Sequence, residues 1–319
     1  RVAWGMGIFN GETRAAGLRA MAERYRVHPG IQQIGADVST PLLTLARSKA
    51  PYAPEADLHP GEWDGRTCTY RSADGMLSAA LDYRKGEAGI QEHLWQATLG
   101  PEAVIFTTYP GNSQAHGNAR PNFWAGSARL PRVAMFDRTV ICLYRPDPGI
   151  GLGISHAYFP AAAFDEYRVE GDWAFGRSGE GYVALWGDGS LALTESGRHA
   201  GQELRSRGGG EAWICRVGRA AEDGAFTDFC EAAKSRRPVV RRRGGPSAAP
   251  EAPGVEWTTP RGERLAFAWE GPLFVDGVAQ DWARFPHYSN AYTDTPMEAD
   301  TMTIRYGGQT LTLDLSGRP

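Results

Sequence analysis

Three groups of residues in this chain have types and spacings that suit chemistry. His156 and Tyr158 lie two apart in the run ISHAYF, which reads as a strand over residues 153–159, so an imidazole and a phenol share one face. Such a pair suits proton abstraction and return, provided a cationic neighbour lowers the phenol from its ordinary pKa of about 10. The same period puts Gln91, His93 and Trp95 on one face of a strand expected over residues 91–99, setting a histidine beside an indole that a sugar ring can meet. The densest group is the loop 116–132, with His116, Asn118, Arg120, Asn122, Trp124, Arg129 and Arg132, its path fixed by Pro121, Gly126 and Pro131. There Arg120 and Arg132 have the fork geometry to hold a carboxylate, and Trp124 has the flat face for a pyranose.

Each group also has a plain structural explanation. His93 reads equally as a hydrogen-bonded histidine in a half-buried sheet. Trp124 reads as a plug between sheets with the arginines as surface charges. Tyr158 reads as a phenol tied to backbone with His156 satisfied beside it. The pair Asp165 and Glu166 points to opposite faces of an extended segment, so these two cannot flank one glycosidic bond. The seven histidines have no two at ligand-like local spacing, and no metal site is assigned. The nucleophile-elbow, dinucleotide, P-loop and HExxH patterns are absent, and GIGLG at 149–153 joins two strands. No cofactor is expected.

The elements that must position these side chains are mostly strands. Runs at 68–70, 76–83, 91–99, 103–108, 132–144, 153–159, 173–177, 181–186, 191–194, 201–207 and 211–217 alternate or run apolar between turn residues, at the spacing of a large antiparallel β super-sandwich. Phe226, Phe229, Cys230 and Ala233 recur at helical spacing within 224–235, a lone helix expected on a sheet edge. Ahead of the β region, residues 1–50 read as a short helical segment, with one amphipathic helix over 12–25 and a second piece over 41–47. Residues 51–66 read as a connector at a domain boundary, and 67–235 as the sandwich. Residues 236–254, rich in Arg, Gly and Pro, read as a solvated linker, and 255–319 as further antiparallel strands with a Gly307–Gly308 hairpin turn.

Composition bounds the partners. In 319 residues, 34 Lys and Arg against 37 Asp and Glu leave a net charge of −3, without the basic field that sequence-independent phosphate binding needs, so nucleic acid is not an expected partner. No apolar run reaches the roughly 18–20 residues of a membrane helix. Four widely spaced cysteines read as core thiols. The chain starts at Arg1 without an initiator Met and reads as a piece of a longer protein, and its compartment is left open.

The succession MLSAALDYRKGEAGIQEHLWQATLG (76–100), NFWAGSARLPRVAMFDRTVICLY (122–144), ISHAYFP (154–160) and GYVALW (181–186) resembles the C-terminal β-sandwich region of (α/α)-toroid carbohydrate-active enzymes, the heparinase II/III-like and chondroitin-lyase-like polysaccharide lyases. The resemblance is one of architecture over most of 67–319. It implies an upstream helical toroid as partner domain, a polysaccharide or oligosaccharide substrate, and β-elimination on a uronic-acid-containing glycan. That reaction needs a carboxylate neutraliser, a base for the C5 proton and an acid for the leaving oxygen. On residue type alone, His156, Tyr158 and His116 are the candidate catalytic residues, and His93, Trp95, Asn118, Arg120, Trp124 and Arg132 the candidate substrate-binding ones. A non-catalytic module that binds glycan or stabilises the toroid, and a toroid-type glycoside hydrolase, are the other readings.

Overall fold

In the run MLSAAL, buried and half-buried side chains alternate without a break, which is what a strand with one face on a core must do. The same rule, kept or broken, organises the described sheets. The structure is a computed structural model and describes residues 33–34, 37, 40–51, 62–115, 119–241 and 254–316. The helix expected over 12–25, most of the linker, and His116 and Asn118 lie outside the described residues.

In chain order the elements are β1 (Leu42–Pro51), β2 (Glu62–Arg71), β3 (Met76–Leu81), β4 (Trp95–Thr98), β5 (Val104–Thr108), β6 (Arg132–Phe136), β7 (Thr139–Leu143), β8 (His156–Tyr158), β9 (Glu166–Glu170), β10 (Trp173–Ser178), β11 (Gly181–Gly187), β12 (Ser190–Leu193), β13 (Glu203–Arg207), β14 (Ala212–Arg219), the helices α1 (Ala220–Asp223) and α2 (Phe226–Lys234), then β15 (Val239–Arg241), β16 (Gly254–Thr258), β17 (Arg264–Ala268), β18 (Phe274–Val275), β19 (Val278–Ala279), β20 (Tyr288–Asn290), β21 (Thr293–Thr295), β22 (Thr301–Tyr306) and β23 (Gln309–Asp314). They pair antiparallel. A 10-stranded sheet runs β12-β13-β8-β5-β4-β3-β2-β1-β20-β21, a 6-stranded sheet β6-β7-β14-β11-β10-β9, a 5-stranded sheet β15-β16-β17-β18-β19, and β22 and β23 form a hairpin. The fold is mainly β, as the turn spacing requires.

The six-stranded sheet is the middle layer. One of its faces, with Val133, Cys142, Val183, Leu185, Trp213 and Cys215, packs on Leu77, Trp95, Ile105, Ala157 and Leu204 of the ten-stranded sheet. Its other face, with Ile141, Phe175, Tyr182 and Ile214, packs on α2 and on Val255, Trp257, Leu265 and Phe267 of the five-stranded sheet. Burial on both sides removes alternation, and β7 and β11 are buried at every position. The four cysteines are buried and unbridged, and burial pushes the thiols of Cys68, Cys142 and Cys230 up to about 12.

Several elements differ from the sequence expectation, among them the expected linker, whose residues 239–241 form β15 and pair with β16. Residues 41–47, expected as a helical piece, are strand, because β1 pairs over its whole length with β2, from Leu42 opposite Arg71 to Pro51 opposite Glu62. The connector expected over 51–66 therefore ends inside β2. The lone helix lies against a sheet face rather than an edge: Phe226, Phe229, Cys230 and Ala233 join the second core. Its apolar stripe needs a sheet face to bury it.

A candidate site on the outer face of the large sheet

The outer face of the ten-stranded sheet carries a cluster separate from both cores. In the pairing of β5, β8 and β13, Phe106, Tyr158 and Glu203 are neighbours, and so are Thr108, His156 and Arg205. Alternation sends all six side chains outward. Over them lies the corner Asn122–Phe123–Trp124 of the segment between β5 and β6. An Asx turn shapes that corner, Asn122 Oδ1 accepting from the Trp124 and Ala125 amides at 3.1 and 2.8 Å. Gly126, at φ +83°, lets the chain pass against the Gly89 and Ile90 carbonyls.

Aromatic rings fill the space between strap and sheet. Trp124 stacks on His156 with centroids 4.6 Å apart and meets Tyr158 edge-on at 5.2 Å. Phe123 stacks on His199 at 4.0 Å and meets His156 edge-on at 4.6 Å. Phe106 stacks on His93 at 4.2 Å and on Tyr158 at 5.2 Å. Tyr158 and His199 are half-buried, while His93, Trp124 and His156 are buried.

Backbone contacts join the rings. His93 Nε2 donates to the Trp124 carbonyl at 2.7 Å, and His156 Nε2 lies 2.9 Å from both the Phe123 carbonyl and Thr108 Oγ1. His156 Nδ1 is 2.9 Å from Glu203 Oε1. Burial acts to raise Glu203, but hydrogen bonds from His156, Thr194 and Arg205 hold it down at about 2, so it is a carboxylate. Burial pulls His93 down to about 4 and lowers His199. Burial lowers His156 as well, opposed by the Glu203 carboxylate and the Phe123 carbonyl. The Tyr158 phenol is raised by burial and by Glu102. Glu203, His156 and Thr108 thus stand in the order carboxylate, imidazole, hydroxyl, yet they are only 1%, 0% and 1% exposed, and the chain is built as a tie rather than as a nucleophile.

The structure brings His93, Trp124, His156 and Tyr158 together and separates the other expected residues from them. Trp95 is not on the face of His93. Strand pairing begins only at Trp95, so the chain bends through 91–94 and the two-residue period does not extend back to His93. Trp95 faces the first core and donates its indole N–H to Thr107 at 2.8 Å. Arg132, expected to grip a substrate carboxylate, grips one of the protein's own: Nε and Nη2 reach Asp82 at 2.8 and 3.1 Å, and Nη1 reaches the Ala268 carbonyl at 2.6 Å. Its guanidinium also lies 4.7 Å over the Phe267 ring. Arg120 is half-buried at the start of the strap. Asp165 and Glu166 both face Arg177, at 3.5 and 3.7 Å.

Sequence reasoning missed Phe106, Phe123, Thr108, His199 and Glu203. For Phe106, Thr108 and Glu203 the only signal lies in the register of β5 and β13 against β8, which is set by pairing over long chain distances. Among the described residues no group of three His, Cys, Asp or Glu side chains is placed to hold a metal ion, and no helix is long and apolar enough to cross a membrane. No protein family, curated protein or solved structure matches the chain.

Proposed function

We propose that this chain is the β super-sandwich portion of a carbohydrate-active enzyme, acting by β-elimination on a uronic-acid-containing glycan in company with an upstream helical toroid. The observation that carries the reading is the outer-face cluster, where the half-buried phenol of Tyr158 and imidazole of His199 lie at the margin of a stacked aromatic platform. Exposed Arg205, opposite His156 on the next strand, and Arg198 beside His199 supply positive charge suited to a uronate carboxylate. In this arrangement Tyr158 is the group that meets substrate, Trp124 sets the platform, and His156, wholly buried, positions both.

Elimination leaves an unsaturated uronate that absorbs in the ultraviolet, and hydrolysis does not. The full-length protein is expected to generate that absorbance on at least one of heparan, chondroitin, alginate or pectin-type polymers. Tyr158→Phe, which keeps the ring against Phe106 and Trp124, is expected to abolish it with the melting temperature unchanged.

The complete burial of His156 favours a second reading, a module that binds glycan or braces the toroid without turning over substrate. Retention on immobilised polysaccharide by both wild type and Tyr158→Phe, with no product from either, would select it.

A further inference from the structure

The ring nitrogens of His156 both face acceptors. Nδ1 meets Glu203 Oε1 at 2.9 Å, and that carboxylate also accepts from Arg205 Nε at 2.9 Å and, through its other oxygen, from Thr194 Oγ1 at 2.8 Å. An oxygen pair already receiving those two donors is ionised, so the proton of the His156–Glu203 contact sits on Nδ1. Nε2 meets the Phe123 carbonyl at 2.9 Å, and a carbonyl oxygen only accepts. A neutral ring with its one N–H on Nδ1 would turn the Nε2 lone pair on the Phe123 carbonyl, with only the Thr108 hydroxyl, also at 2.9 Å, to donate to it. Two N–H groups satisfy the carboxylate and the carbonyl together, and Thr108 Oγ1 then accepts beside the carbonyl. The ring also lies flat against the Trp124 indole, at 4.6 Å and an interplanar angle of 11°, the arrangement that favours a cation over a π face.

We propose that His156 is held as an imidazolium, ion-paired to Glu203, and that this sealed charge pins the Phe123–Trp124 corner of the strap to the sheet and releases it when the ring loses its proton. A paired charge with all its hydrogen bonds made is the form in which a buried ion survives.

The other charged and titratable groups about the ring are Arg205 on β13, Tyr158 on β8, Arg198 and His199 from the turn between β12 and β13, and His93 ahead of β4. Arg205 and Arg198 are exposed, so solvent weakens their opposition to the imidazolium. His93 donates to the neighbouring carbonyl, that of Trp124, from a ring that burial keeps neutral. The two histidines therefore answer pH in opposite senses: acid leaves the His93 Nε2–H donor in place but charges a ring that burial keeps neutral, so its contribution to stability falls in acid, whereas the His156 pin is lost in alkali. Below its pKa the pin is complete, and its contribution falls as pH rises through that pKa.

The test is nitrogen-detected NMR of the full chain with labelled histidine, joined to amide exchange of residues 119–131 corrected for the intrinsic pH dependence. Near neutral pH, His156 is expected to show two protonated ring nitrogens in wild type and one in Glu203→Gln. Exchange protection of the strap in wild type is expected to fall on the order of tenfold as the ring deprotonates, while β11 keeps its protection. One unprotonated nitrogen on wild-type His156 near neutral pH would overturn the charge assignment. Strap protection indifferent to deprotonation of His156, or lost only together with that of β11, would overturn the pin.

Discussion

Replacing Arg132 decides whether its guanidinium is an internal tie or a hand held out to substrate. Its side chain is 4% exposed, it forks onto Asp82 through Nε and Nη2, and its third donor reaches Ala268 at the end of β17, so it fastens the five-stranded layer to the β3–β6 corner. Removing one partner of a buried pair costs about 3–5 kcal/mol, because the other charge is left without a counter-ion. The Asp82 side chain is 25% exposed, and water recovers part of that penalty. Arg132→Ala should therefore lose about 3 kcal/mol, a fall of roughly 4–5 °C in melting temperature if the chain unfolds as one unit. The assay is urea and thermal unfolding of Arg132→Ala, Asp82→Asn and the double variant, alongside affinity for an immobilised uronate polymer. A coupling energy above about 1 kcal/mol between the two sites and an unchanged affinity are expected. A melting temperature within about 1 °C of wild type together with weakened glycan binding would refute the reasoning and return Arg132 to the substrate.

Three further outcomes follow from named contacts. His93 sits near 4 against 6.5 in the unfolded chain, so its stabilisation of about 3 kcal/mol is present above pH 6.5 and drains away as pH falls toward 4. The acid limb of stability, measured by urea titration at stepped pH, should flatten in His93→Gln. Trp95→Phe deletes the indole donor to Thr107 and opens a small void in the first core, which should cost about 2 kcal/mol in denaturant without altering glycan retention. Gly126→Ala places a Cβ against the Gly89 and Ile90 carbonyls at φ +83°, and a loss of at least about 2 kcal/mol is expected, read as a lower denaturation midpoint and faster exchange in the strap.

Much of the β architecture was legible because turn chemistry and alternation are local. Gly307 and Gly308 do take φ of +55° and +77° between β22 and β23, and the helical spacing of Phe226, Phe229, Cys230 and Ala233 does form α2. Residues 41–47 were not legible as strand because a short apolar run suits a helix or a strand equally, and pairing with β2 decides it. The middle sheet was harder in a different way: with both faces buried, β7 and β11 keep no polar face to announce orientation. In the site, the i, i+2 pairing of His156 with Tyr158 was readable from the strand period alone. Glu203 lies 47 positions from His156 in sequence, and nothing local points one to the other. Arg132 had the chemistry expected of it, with Asp82 as the carboxylate.

The proposed elimination at the outer face is tested most directly by the ultraviolet absorbance of the full-length protein incubated with uronate polysaccharides, run beside Tyr158→Phe. The account predicts a rising signal from an unsaturated uronate product in wild type and none in the variant, both proteins folded alike. No signal on heparan, chondroitin, alginate or pectin-type substrates, or equal signals from wild type and Tyr158→Phe, would contradict it.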